Sequence, residues 1–269
     1  MNPAEATRLA QKALPEVDIE VLWDDMWIRR IGPHYFPDPD MFDGPPNWQK
    51  WAAQAEKYLR DANDYWFHLY QPQPGDVIVD IGAGRGEDVF AFSRAVGPEG
   101  RVIAIEPHPV SFATFRKFYM WNRLDNVIAL NYACVDEPGE LQIETLPVWE
   151  SNYVRSGPPS ATSYPVTGIR FDQLCEQLSI DCIDYFKMNI EGAERYALPG
   201  CREALKRTRF ITVAAHDFRS ARGEGAEFST LEFVRAFLSD AGFRPVTRHA
   251  DPRYYVPYHV HGVRNNIET

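Results

Sequence analysis

The stretch Val77-Ile78-Val79-Asp80-Ile81-Gly82-Ala83-Gly84-Arg85-Gly86 decides the fold. Its first five residues form a short, mostly apolar run of the kind buried on both faces in a parallel sheet. The glycines that follow let the backbone turn sharply and approach a ligand where a β-carbon would collide. Residues 87–96 then place Val89, Phe90, Phe92 and Val96 at helical spacing. The unit is therefore strand, glycine turn, helix.

Outward from it the rhythm repeats. Arg101-Val102-Ile103-Ala104-Ile105-Glu106 reads as the next strand, and a helix follows carrying Phe112, Phe115, Tyr119 and Leu124. Further strands are expected at 127–131, 183–189 and 210–215. Ser229-Thr230-Leu231-Glu232 is a capping box opening a helix that stops at Gly242, with closing strands at 243–248 and 254–263. Strands alternating with helices predict an α/β, Rossmann-like architecture: a mostly parallel, doubly wound sheet with helices on both faces.

Residues 71–269 are assigned to this domain, opening at the turn-rich Gln71-Pro72-Gln73-Pro74-Gly75-Asp76. Residues 1–70 read as an N-terminal helical, aromatic-rich extension. Asn2-Pro3-Ala4-Glu5 starts one helix, and Trp48, Trp51, Ala55, Tyr58, Leu59, Ala62, Trp66 and Leu69 mark another. The proline-rich residues 32–39 between them suit neither a helix nor a central strand. The extension either packs partly over the active-site mouth or serves as scaffold or dimer surface. Residues 147–166, rich in proline, glycine and serine, form a lid-like loop. Its Trp149, Tyr153 and Tyr164 either line a substrate site or pack structurally.

Composition narrows the partners. The 269 residues carry a net charge of -10, which argues against a nucleic-acid partner. No apolar run approaches the roughly 20 residues of a membrane span. The N-terminus shows no secretory pattern, and Cys134, Cys175, Cys182 and Cys201 form no zinc or C-x-x-C spacing. A cytoplasmic protein with free thiols is the simplest expectation.

The ligand chemistry follows from charge. Glu106, at a strand end, can accept both ribose hydroxyls of a nucleoside. Dinucleotide sites favour G-x-G-x-x-G, whereas here Gly82, Gly84 and Gly86 are followed by Glu87 and Asp88. Those carboxylates would repel a pyrophosphate at the helix N-terminus. S-adenosylmethionine brings no phosphate, and its sulfonium and amino group suit Asp80, Glu87 and Asp88. Asn131, Ala133 and Cys134 follow the third strand, where a small residue and a thiol are equally compatible with ordinary core packing.

Three segments together resemble FkbM-type O-methyltransferases: Val79-Asp80-Ile81-Gly82-Ala83-Gly84, Glu106-Pro107-His108-Pro109, and Lys187-Met188-Asn189-Ile190-Glu191-Gly192-Ala193-Glu194. The resemblance spans roughly residues 75–245. It implies a class I methyltransferase fold and methyl transfer to a hydroxyl of a sugar, polyketide or related small molecule. By it Asp80, Gly82, Ala83, Gly84, Gly86, Asp88, Glu106, His108, Asn131, Ala133 and Cys134 are the cofactor-binding candidates. Two places depart from the family pattern. Asn189 stands where the family has aspartate, keeping an amide but no charge, and His108 stands where the family has asparagine.

Alcohol methylation is an in-line displacement assisted by a base. The candidates at strand ends are His216 as base, Glu191 to orient it, share its role or bind the acceptor, and Asn189 to orient a substrate. Lys187 is expected to pair with a carboxylate such as Glu191 or Glu194. His259 and His261 share one strand face, so a metal site is conceivable there, but no third ligand accompanies them and surface or edge histidines are the commoner case. No metal is assigned. Rival readings are a nicotinamide-dependent oxidoreductase and a non-catalytic cofactor-binding scaffold. The expected partner is a small hydroxylated acceptor, and a homodimer is compatible.

Overall fold

The computed structural model describes residues 1–146, 148–155, 158–265 and 267. The chain opens with α1 (Pro3–Ala13), whose first turn is capped by Asn2 Oδ1 accepting from the Glu5 amide at 2.9 Å. An antiparallel meander follows, made of β1 (Ile19–Trp23), β2 (Trp27–Ile31) and β3 (His34–Asp38). The helical reading of the extension is thus corrected. Ile19 and Val21 are buried while Glu20 between them is not, a strand alternation too short to stand out. Pro37 is tolerated because β3 is an edge strand. The helix expected over 48–69 is broken into α2 (Trp48–Ala52), α3 (Gln54–Asp61) and a π-helical turn over Ala62–Trp66.

The glycine turn joins β4 (Val77–Ile81) to α4 (Glu87–Val96). Next come β5 (Arg101–Ile105), α5 (Pro109–Trp121) and β6 (Val127–Leu130). A smaller four-stranded sheet interrupts the alternation: β7 (Ala133–Cys134), β8 (Gly139–Glu144), β9 (Tyr153–Arg155) and β10 (Ser163–Ile169). Two parts of the segment read as a lid loop, within β9 and the start of β10, are therefore strand, while Pro147, Ser156 and Gly157 lie outside the described residues. α6 (Phe171–Gln177), β11 (Ile183–Met188), α7 (Glu194–Ala197), α8 (Arg202–Lys206), β12 (Thr208–Ala214), α9 (Asp217–Ala221), α10 (Leu231–Asp240), β13 (Phe243–Thr247) and β14 (His259–Arg264) complete the chain.

The main sheet runs β13-β14-β12-β11-β4-β5-β6, parallel from β12 to β6, with β14 antiparallel between β12 and β13. One face buries Val79, Ile103, Phe186 and Leu238; the other buries Ile78, Val102, Phe92 and Tyr185. This alternation along each strand covers the sheet on both sides, as expected of a doubly wound fold. The extension is tied to the second face: Tyr185 Oη donates to the Trp66 carbonyl at 2.5 Å, and Phe36 packs with Phe90 and Phe118. Among the described residues no helix is long and apolar enough to cross a membrane.

The α10 start differs from the capping-box expectation. Its N-cap is Thr230, and neither Ser229 nor Glu232 closes the first turn. Asp217 does so from α9, its Oδ2 accepting from the Thr230 and Leu231 amides at 2.9 and 2.8 Å. The Thr230 hydroxyl is instead spent on Glu194, to which it donates at 2.9 Å.

Candidate active site

β4 lies between β5 and β11, so the chain leaves the sheet in opposite directions on its two sides and a crevice opens at the carboxyl ends. The glycine turn shapes that crevice. Gly82 has φ +85°, and a β-carbon there would lie 2.0 Å from the Asn189 carbonyl oxygen. Gly84, at φ +58°, sends its amide to Glu106 Oε2 at 2.9 Å, and a β-carbon there would meet the Trp149 ring at 2.8 Å. Both positions exclude side chains for steric reasons. Gly86 serves packing instead, since its bare face accommodates Phe115 and Phe118 of α5 and it does not line the cleft.

The cleft, counted out to its open mouth and the solvent there, encloses about 880 Å³. Of the cofactor candidates, Gly82, Ala83, Gly84, Asp88, Glu106, Ala133 and Cys134 line it. Glu106 is 7% exposed, and Oε1 also accepts from the His108 amide at 2.8 Å. Burial pushes its pKa up to about 7 against the pull of those two amides. The half-buried Glu87 also faces the cleft, raised to about 7 by burial and by the neighbouring Asp88 and Glu150.

Four candidates sit elsewhere. Asp80 is fully buried and holds Lys187 Nζ at 2.7 Å. Lys187 also reaches Asp88 at 3.2 Å and donates to the Gly82 carbonyl at 2.9 Å. Its expected pairing with Glu191 or Glu194 is corrected: β11 lies beside β4 with Lys187 opposite Asp80. His108 caps α5 and its Nε2 lies 2.9 Å from the Thr145 hydroxyl, away from the cleft. Asn131 Nδ2 donates to the carbonyls of Glu106 and Pro107 at 2.8 and 3.0 Å, bracing the turn rather than lining the cleft. Gly86 is the fourth.

Several lining residues carried no sequence signal: Tyr132, Ser111, Glu150 and Asn152. Among the described residues Asn152 Nδ2 is buried without a hydrogen-bond partner, although its Oδ1 accepts from the Leu146 amide at 2.7 Å. Trp149 does close over the glycine turn, stacked by Arg85 at 4.6 Å. Tyr153 packs against Phe228 and Tyr164 against His108, and neither lines the cleft.

Asn189 and Glu191 also line the cleft, and His216 does not. Glu191 adopts a left-handed backbone at φ 54°, rare for a residue with a β-carbon. Its Oε1 lies 2.9 Å from His216 Nε2 and its Oε2 accepts from Arg219 at 2.6 Å. His216 Nδ1 is 3.0 Å from Glu194 Oε1, so both ring nitrogens face carboxylates. Burial disfavours the charged ring, but Glu191 and Glu194 outweigh it and raise its pKa to about 10. With both ring nitrogens engaged by carboxylates that favour its charged form and the ring outside the cleft lining, His216 is not placed to act as the base expected of it. Glu191 resists ionisation through burial, yet His216 and Arg219 hold its pKa below the usual carboxylate value.

The His259 and His261 pair is not at the surface. β14 runs inside the sheet, both rings are buried, and burial lowers both pKa values to about 3. His261 Nδ1 meets the Thr212 hydroxyl at 3.0 Å, and His259 stacks on Trp66 at 5.0 Å. Among the described residues, no group of three His, Cys, Asp or Glu side chains is arranged to hold a metal.

Numbered from β4, the main sheet has the order 3-2-1-4-5-7-6 with strand 7 reversed, and its glycine turn and acidic strand end define a methyltransferase of the Rossmann-like class. Residues 80–245 match the Methyltransferase FkbM domain, and the chain belongs to that family. It is 25% identical over 187 residues to the 2-O-methyltransferase NoeI of Sinorhizobium fredii, covering 64% of this chain and 76% of that protein. It is 26% identical over 223 residues to the 31-O-demethyl-FK506 methyltransferase FkbM of Streptomyces tacrolimicus, covering 71% and 80%. Among solved structures, methyltransferase FkbM from Methylobacillus flagellatus aligns with a TM-score of 0.51 at 17% identity. That alignment covers 78% of this chain and 51% of the other, so this chain spans about half of that protein.

Proposed function

We propose that the chain transfers the methyl group of S-adenosylmethionine to a hydroxyl oxygen of a small-molecule acceptor. It is an O-methyltransferase. The observation that carries the cofactor reading is Glu106, held at the end of β5 by two amides and facing the same cleft as Glu87 and Asp88. Its carboxylate accepts the ribose hydroxyls, while Glu87 and Asp88 offset the cationic methionine end. The same pair repels a pyrophosphate, which disfavours a nicotinamide cofactor. Ala133, Cys134 and Tyr132 supply the walls for adenine.

At the acceptor end, Asn189 orients the hydroxyl and Glu191 takes its proton. The acceptor O–C bond forms as the methyl–sulfur bond breaks, leaving a neutral thioether and releasing the hydroxyl proton to Glu191 and then to water. A hydroxyl oxygen gaining a methyl group becomes strongly acidic, so a carboxylate of lowered pKa is base enough. Arg219 and His216 hold Glu191 in place; His216 is a positioning residue.

Two measurements test this. Isothermal titration calorimetry is expected to show S-adenosylhomocysteine binding, and labelled S-adenosylmethionine is expected to label a hydroxylated acceptor. NADH binding without S-adenosylhomocysteine binding would overturn the assignment, and cofactor binding without any methyl transfer would favour a scaffold. Glu191→Gln is expected to lower kcat about a hundredfold while leaving S-adenosylhomocysteine affinity within about twofold, at the low end of general-base effects. An unchanged kcat removes Glu191 from proton transfer.

A further inference from the structure

Glu87 is the first residue of α4 and faces the cofactor cleft. Burial, and then the like charges of Asp88 beside it and Glu150 after β8, push its pKa up to about 7. A carboxylate so disfavoured is a weak partner for an ammonium group unless something supports it from behind.

That support comes from α3, in the segment outside the family match at residues 80–245. Tyr58 Oη donates to Glu87 Oε1 at 3.2 Å, and Gln54 Nε2 donates to the same Tyr58 oxygen at 2.5 Å. The amide occupies a lone pair of that oxygen and leaves the hydroxyl hydrogen for the carboxylate, so the chain Gln54–Tyr58–Glu87 runs one way. The Tyr58 ring is buried edge-on to Phe36 of β3 at 5.9 Å and to Phe90 of α4 at 6.3 Å. Phe90 lies three residues beyond Glu87, on the same side of the helix. These ring contacts already dock α3 on α4. The hydroxyl adds to them a hold on a residue that faces the cleft. Both the Tyr58 hydrogen bond and the Lys57 ammonium favour the ionised form of Glu87. Arg29 on β2 is a further cation within reach of the Glu87 charge, itself paired with Asp38 at 3.0 Å. All three groups belong to the chain before β4.

We propose that Tyr58 is a positioning residue for the cofactor: through its hydroxyl the N-terminal segment holds the Glu87 carboxylate toward the methionine ammonium of S-adenosylmethionine. The inference rests on the methyl-transfer reading above and adds to it that a segment outside the family domain completes the cofactor site.

The test compares two ligands by calorimetry on the full chain. S-adenosylhomocysteine carries the ammonium, whereas 5′-methylthioadenosine keeps the nucleoside and the thioether without the amino acid. Tyr58→Phe keeps the ring contacts and removes only the hydroxyl. At pH 7 it is expected to weaken S-adenosylhomocysteine about fivefold and to leave 5′-methylthioadenosine within about twofold, because only the ammonium needs an ionised Glu87. Without the hydroxyl Glu87 ionises at higher pH. The loss is therefore expected to shrink to within about twofold at pH 8.5, where both proteins carry the carboxylate. Glu106 is the same in both, so its own pH dependence cancels in the ratio. Glu87→Gln gives a second arm. It is expected to weaken S-adenosylhomocysteine about tenfold and spare 5′-methylthioadenosine, and Tyr58→Phe added to it is expected to cost almost nothing more. The proposal is overturned by S-adenosylhomocysteine affinity unchanged in either single variant, or by an equal loss of both ligands in Tyr58→Phe. A loss that persists at pH 8.5, or full additivity of the two substitutions, overturns it as well, since a hydroxyl that only braced the fold would give those results. Failure of the wild type to bind S-adenosylhomocysteine overturns the methyl-transfer reading itself, and the proposal with it.

Discussion

Glu106→Ala lowers the affinity for S-adenosylhomocysteine about a thousandfold, because two hydrogen bonds to a charged group are each worth roughly 1.5–3 kcal/mol. The substitution also releases the amides of Gly84 and His108, which Glu106 holds at 2.9 and 2.8 Å, so the turn under the ligand loses its brace. Glu106→Gln separates these effects, since an amide oxygen still accepts hydrogen bonds but carries no charge. The charge also has a pH signature. In the free protein burial holds the Glu106 pKa up at about 7. Below that pH the carboxyl is protonated, and a ribose donating to the carboxylate must first displace the proton. Affinity therefore falls as pH drops through 7, about tenfold per unit for one coupled proton, and levels off above it. Calorimetry at pH 6, 7 and 8 reads this directly. Glu87, also raised to about 7, adds its own share when a cation approaches, so the comparison that matters is the slope in Glu106→Gln. A slope as steep as the wild type's would mean that Glu106 does not supply the coupled proton.

The parts of this site that were legible in the sequence are those fixed by neighbours along the chain. A strand, a glycine turn and a helix start put Gly82, Ala83, Gly84 and Asp88 at the cleft, and a strand end put Glu106 there. Where residues come together only through strand order, local pattern failed. The partner of Lys187 depends on β11 pairing with β4, and nothing within residues 183–194 states that. Glu191 and Glu194, closer in sequence, were claimed by His216 across the next strand. His216 looked like a base because its residue type titrates near neutrality, but two carboxylates reset it. His108, Asn131 and Gly86 occupy motif positions yet serve capping, bracing and packing. The meander at residues 19–38 was hidden by short strands and a proline at an edge.

Lys187→Met is expected to destabilise the protein by about 3–5 kcal/mol, the usual cost of breaking a buried ion pair from one side. Lys187 is 1% exposed and Asp80 is 0% exposed, so water cannot replace the lost cation. Asp80 already has its pKa raised to about 6 by burial, with Lys187 present to oppose the rise. Without Lys187 it faces Asp88 alone and must take up a proton to remain buried. In thermal unfolding this amounts to a fall of about 10 °C in Tm for a domain of this size. The Lys187→Met/Asp80→Asn double variant is expected to recover much of the loss, because what destabilises the single variant is the stranded carboxylate rather than the missing bond. Cofactor affinity gives a second readout. Lys187 holds the Gly82 carbonyl at 2.9 Å, so the double variant, although stable, still leaves the turn less tightly held and binds S-adenosylhomocysteine more weakly than wild type. Full stability together with full affinity in the double variant would show that the lysine is dispensable to the cofactor turn. A Tm unchanged in Lys187→Met would show that Asp80 is compensated by some other group.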